Sequence, residues 1–144
     1  LSTNGKYEIT ADMKEFMKDF CAGYADMEEN AKEIRKVFDD TGYLIDTHTG
    51  VAAAVYEQYK AKTGDTTKTV IASTASPYKF SRSVEAVLGK KEDADEFALI
   101  DEMERISGVK IPQAIEEIRD AKILHNRQCK PEEMEETVKQ TFSK

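Results

Sequence analysis

Apolar residues along this chain recur mostly at helical spacing. Thr10 is placed to cap a helix carrying Met13, Phe16, Met17 and Phe20, with Gly23 as its stop. Asp26 and Glu29 stand at capping-box spacing ahead of a second helix, whose stripe is Met27, Ala31, Ile34 and Phe38 and whose end is Gly42. An alanine-rich stretch from Val51 to Lys62 predicts a third helix that stops at Gly64, its small residues allowing another backbone to approach. Ser76 and Pro77 open a fourth, with Phe80, Val84, Val87 and Leu88 inward and Gly89 as its stop. After a charged loop from Lys90 to Asp95 come helices from Phe97 to Ile106, from Pro112 to about Arg119, and from Pro131 to Phe142.

Two segments break this rhythm. Leu1 to Ile9 holds the turn pair Asn4-Gly5 followed by Tyr7 and Ile9 in alternation, which predicts a short extended or hairpin segment. Thr69-Val70-Ile71-Ala72-Ser73 is β-branched with no polar face, the pattern of a strand buried on both sides. Such a strand needs neighbours that the chain does not visibly supply. The expectation is therefore a helix-rich α/β piece of a larger protein, about one to three short strands flanked by six or seven helices. It is read as a single piece over residues 1–144, with no internal repeat or linker to mark a second domain.

Composition narrows the function classes. Asp and Glu number 28 against 21 Lys and Arg, a formal charge of -7 spread along the chain, so nucleic acid is not the expected partner. The longest apolar runs fall far short of the roughly 20 residues of a membrane span, so no membrane partner is expected either. Cys21 and Cys129 stand apart without metal-site or redox spacing, which favours reduced thiols and a cytoplasmic setting. The opening Leu-Ser-Thr-Asn-Gly, with neither a methionine nor a signal sequence, is read as a hint of truncation.

Two clusters carry candidate chemistry. The turn Ser73-Thr74-Ala75-Ser76, between the predicted strand and a helix, lies where α/β sheets gather ligands. Asp46-Thr47-His48-Thr49 brings a carboxylate, an imidazole and hydroxyls to a helix start. Each also has a structural reading, in which Ser73, Ser76, Asp46, His48 and Thr49 satisfy turns and caps. There is no phosphate-binding glycine loop, nucleophile elbow, zinc-protease motif or calcium loop, and no metal site is expected.

Asp46-Thr47-His48-Thr49-Gly50-Val51-Ala52 followed by Val70-Ile71-Ala72-Ser73-Thr74-Ala75-Ser76-Pro77-Tyr78-Lys79-Phe80 resembles threonine synthases near their carboxyl end, where the usual forms are DPHTAV and STAHPAKF. Gly5-Lys6-Tyr7, the spacing to Ser83-Val84-Glu85-Ala86-Val87-Leu88-Gly89, and Leu124-His125-Asn126 extend the resemblance over essentially the whole chain. It implies a parent enzyme of the tryptophan-synthase-β-like superfamily that uses pyridoxal 5'-phosphate to convert O-phospho-L-homoserine and water to L-threonine and phosphate. The Schiff-base lysine and the phosphate loop of that family lie upstream, so this chain would hold no catalytic residue and would be inactive alone. Thr74 matches the threonine whose hydroxyl contacts the pyridine nitrogen, with Ser73, Ser76, Asp46, His48 and Thr49 as further pocket candidates. Lys79 matches a motif lysine that is not the Schiff-base lysine, and reads as helix surface. Ser76 replaces the motif histidine and Thr47 the motif proline, which leaves open another lyase of the superfamily, such as a threonine dehydratase-like enzyme. A non-catalytic helical interaction module is the other alternative. The expected partners are the substrate, the rest of the parent chain and, for an isolated piece, a second copy pairing along the Val70 strand.

Overall fold

The computed structural model describes residues 3–89 and 94–143. The chain divides into two compact units, Leu1–Pro112 and Gln113–Lys144. The first holds α1 (Ala11–Phe16), α2 (Met27–Thr41), α3 (Thr47–Thr63), a 3-10 turn over Pro77–Phe80, α4 (Ser81–Val87) and α5 (Glu96–Ser107). The second holds α6 (Gln113–Arg119), a 3-10 turn over Pro131–Glu133 and α7 (Met134–Phe142). Residues 90–93 of the expected charged loop lie outside the described residues.

The long helices form where local signals agree. Asp26 and Glu29 complete a reciprocal capping box at the start of α2, with Glu29 N–H donating to Asp26 Oδ1 at 2.8 Å and Asp26 N–H donating to Glu29 Oε2 at 3.0 Å. α2, α3 and α5 end on left-handed Gly42, Gly64 and Gly108. α2 packs on α3 and α4, and α4 on α5. Their shared core is Ile34, Leu44, Ile45, Ala53, Ala54, Tyr78, Val84, Leu99, Ile100 and Met103.

At the α2–α3 crossing Gly50 has no room for a side chain. A Cβ there would stand 2.7 Å from Ile34 Cγ1 and would overlap Asn30 Oδ1. The close approach is thus made at Gly50, one residue ahead of the alanine-rich stretch from Val51 where the sequence places it.

The α/β expectation does not hold. Among the described residues there is no strand, and every regular element is helical. Residues 69–73 form no ladder, and Val70 is 94% exposed rather than buried. The reason is physical. A strand apolar on both faces is defined by hydrogen-bonded neighbours, and none of the described residues provides one, so the segment runs unpaired across the surface. Of the short extended or hairpin segment expected before Ile9, the described residues show a turn near Asn4 and Gly5 and no strand pairing, with Tyr7 exposed. α1 stops at Phe16 rather than Gly23, and Met13, Phe16, Met17 and Phe20 are all exposed.

The second unit has no buried residue among those described. Arg127 Nη1 donates to Thr141 Oγ1 at 2.6 Å, and Lys130 N–H donates to Glu133 at 3.1 Å to begin the Pro131 turn. No helix among the described residues is long and apolar enough to cross a membrane.

Candidate functional site

The site is built on the start of α3. Asp46 caps the helix from an extended backbone, and its side chain is fully buried. Oδ1 accepts from the His48 N–H at 2.8 Å, and the His48 ring Nδ1 lies 3.2 Å from the same oxygen. Oδ2 accepts the hydroxyl of Thr49. Burial pushes the Asp46 carboxyl upward, but the Thr49 hydroxyl, the backbone amides of His48 and Thr49, and the His48 ring outweigh it and hold the group below its ordinary value. Asp46 is therefore an ionised acceptor at neutral pH. His48 is exposed and leans on Phe80, with ring centroids 4.9 Å apart.

Thr49 reaches across to the second cluster, its Oγ1 lying 3.0 Å from Ser73 Oγ. The Thr49 proton is directed to Asp46, so Ser73 donates to Thr49. The two clusters singled out in the sequence, 24 residues apart, thus form one hydrogen-bonded array: Ser73 to Thr49 to Asp46, with His48 on the other carboxylate oxygen.

Beyond Ser73 the chain borders a half-open hollow of about 460 Å3. Its walls are Tyr43 and Leu44, the turn from Ser73 to Lys79, and Ser107, Val109, Lys110 and Pro112. Tyr78 is buried and its hydroxyl donates to the Val109 carbonyl, which ties the turn to the segment following α5. Burial pushes the Tyr78 phenol upward, opposed by a bond with Ser107 and reinforced by the charge of Glu104, so the group remains a donor. A larger hollow of about 620 Å3 lies between α2, Thr47 and α4, but its lining is mostly apolar and holds none of the array. Of the array, Ser73 lines the smaller one.

The hydroxyls of the turn have different fates. Ser73 is committed to Thr49, and Ser76 Oγ accepts the Tyr78 N–H at 3.3 Å as the cap of the 3-10 turn. Thr74 is exposed, borders the hollow, and its hydroxyl has no hydrogen-bond partner among the described residues. Lys79 is exposed surface. The described residues hold no group of three His, Cys, Asp or Glu that could bind a metal.

Sequence reasoning missed Tyr43, Leu44, Tyr78 and the wall from Ser107 to Pro112. Gly108 and Pro112 do mark a tight link between two helices, which signals where a surface segment lies but not what it faces. Tyr78 is hidden inside a motif whose neighbours carry the polar chemistry.

Most of these residues lie within a region matched by a family model. The model for threonine synthase, C-terminal, covers residues 49–140, well over half of the chain. The match begins at Thr49 and takes in Ser73, Thr74 and Ser76, with Asp46 and His48 just ahead of it. With its hydroxyl array and turn inside that match, the chain belongs to the threonine synthase carboxyl-terminal family.

Proposed function

We propose that this chain is the carboxyl-terminal part of a cytoplasmic, pyridoxal-phosphate-dependent lyase that converts O-phospho-L-homoserine and water to L-threonine and phosphate. The observation that carries the reading is the Thr74 hydroxyl, the one hydroxyl of the 73–76 turn not spent on the described fold, at the edge of a hollow and inside the matched region.

The residues fit one part of the cofactor. A free hydroxyl on a fixed turn suits the pyridine nitrogen, which needs a single donor, whereas the described residues form no glycine-rich cradle for the phosphate. When bound, pyridoxal phosphate supplies an electron sink for carbanion chemistry. Thr74 would hold the ring by donating a hydrogen bond to its nitrogen. A neutral hydroxyl orients the ring without delivering a full proton, unlike a carboxylic acid in that place. Ser73 and Ser76 hold the turn, and Tyr78 fixes the opposite wall by its bond to Val109.

The lysine that bears the cofactor and the phosphate loop come from the rest of the parent chain, which is the first partner. Phe16, Phe20, Tyr24, Met27 and Val70 expose apolar side chains that the rest of such a parent would cover in this reading. Neither nucleic acid nor membrane is a partner in this reading.

Ser76 favours a second reading, a threonine dehydratase-like lyase. Its hydroxyl is occupied in capping Tyr78 and no imidazole stands at that position. Phosphate release by the intact parent from O-phosphohomoserine separates the two. Thr74→Val is expected to keep the parent folded but to cut turnover about tenfold or more, as loss of one hydrogen bond at the reacting group does, and to shift the absorbance band of the lysine-bound cofactor. Unchanged turnover and spectrum would refute the Thr74 contact, and no release by the wild type would move the substrate to the second reading.

A further inference from the structure

The proposed cofactor contact leaves the buried carboxylate behind the turn without a task. Asp46 is too enclosed to meet a substrate, and both its oxygens are occupied by donors of α3. An N-cap alone does not explain the arrangement, since the capping bonds to the amides of His48 and Thr49 would form without Ser73. The extra link is the Thr49 hydroxyl, which accepts a hydrogen bond from Ser73 and donates its own to Asp46.

We propose that Asp46 is a positioning residue which, through Thr49 and Ser73, fixes the turn that presents Thr74 to the cofactor ring. This rests on the reading of Thr74 given above. An ionised carboxylate can only accept, so the direction of the chain from Ser73 to Thr49 to Asp46 is set by charge rather than by free rotation of hydroxyls. Asp46 and Thr49, the inner members of the array, are buried, where a carboxylate polarises the bond feeding it, and exposed Ser73 joins them from the surface. Ser73 directly precedes Thr74, so an anchor at Ser73 fixes one end of the peptide that aims the Thr74 side chain. The segment before Ser73 runs unpaired and supplies no ladder to hold the turn from that side. α3, capped by Asp46 and packed on α2, is the rigid body to which the turn is fastened.

The test uses the intact parent and reads cofactor dissociation by fluorescence together with the visible spectrum of the bound cofactor, besides turnover. Asp46 substitutions risk the fold, so the link is cut at Thr49. Thr49→Val removes the hydroxyl at nearly constant volume and is expected to weaken cofactor retention about tenfold, the value of one hydrogen bond. Thr49→Ser restores the hydroxyl and is expected to rescue retention. In a Thr74→Val background, Thr49→Val should add less than about twofold, because the contact it aims is already gone. Equal loosening by Thr49→Val in both backgrounds would overturn the proposal, since it would mean a general effect on the fold. Retention unchanged in Thr49→Val while Thr74→Val loosens the cofactor would also overturn it, leaving the Thr74 contact intact. If Thr74→Val itself leaves retention unchanged, the cofactor contact falls and this proposal with it.

Discussion

Replacing Gly50 by alanine sets two physical effects against each other, and the geometry decides between them. Inside α3 the change improves helix propensity by about 1 kcal/mol. Against this, the new Cβ would meet Ile34 Cγ1 at 2.7 Å and Cδ1 at 3.1 Å and would overlap Asn30 Oδ1. Ile34 is only 1% exposed and cannot swing aside, and Asn30 Oδ1 is itself enclosed. Overpacking of this kind costs about 1–3 kcal/mol, and contacts this close on two sides place it in the upper half of that range. The net expectation is a loss of about 1–2 kcal/mol, or roughly 4–8 °C in melting temperature for a unit of this size. Thermal unfolding followed by circular dichroism reads it. A double-mutant cycle sharpens the result: Ile34→Ala costs about 2–5 kcal/mol alone, and in the Gly50→Ala background it should cost at least about 1 kcal/mol less, because it opens the space that Cβ needs. A melting temperature raised by Gly50→Ala, or an uncoupled cycle, would refute the claim that α2 and α3 are held in contact at this glycine.

Two further outcomes concern the array and the wall of the hollow. Because the folded value of Asp46 lies below its ordinary one, the unfolded chain takes up the proton first as pH falls; the stabilisation is complete above about pH 4 and is lost as pH drops through the folded value. Urea unfolding of wild type should therefore weaken more steeply than that of Asp46→Asn on acidification below about pH 4, and parallel curves would show that folding does not lower the Asp46 value. Tyr78→Phe removes the donor to Val109 and leaves that carbonyl short of a partner, for an expected loss of about 1–2 kcal/mol in the urea midpoint analysis; no loss would mean the tie does not hold the wall.

What could be read from the sequence was what is local. Asp26, Glu29 and Gly42 lie within one helix and its flanks, and they form the cap and stop that their spacing announces. The start of α3 is half legible: Asp46 or Thr47 reads as a cap, but the sequence predicts the helix itself only from Val51, whereas it begins at Thr47 because Asp46 satisfies its first amides. The 69–73 segment misled for a different reason: two-sided apolarity specifies a strand only when neighbours exist, and the pattern says nothing about whether this chain contains them.

The same distinction divides the site. Asp46, His48, Thr49, Ser73, Thr74 and Ser76 were visible as residue types in two clusters. That Thr49 touches Ser73 while Thr74 is left over is a consequence of packing across 24 residues, which no spacing rule contains. The wall beyond Tyr78 depends on a bond spanning 31 residues, and its members carry no motif of their own.

The unit from Gln113 onward has helices of seven and nine residues and no buried side chain among those described. Isolated helices shorter than about 12–15 residues are marginal in water, so caps and ion pairs alone do not hold these ones closed for long. Ile118, Ile123, Leu124, Val138 and Phe142 all face solvent. Amide protons of α6 and α7 therefore exchange almost as in a free peptide until an apolar surface closes over those residues, while amides in the middle of α3 wait for the unfolding of the Ile34 core. One polypeptide thus carries two exchange clocks, and the faster one reports whether anything lies against its last thirty or so residues.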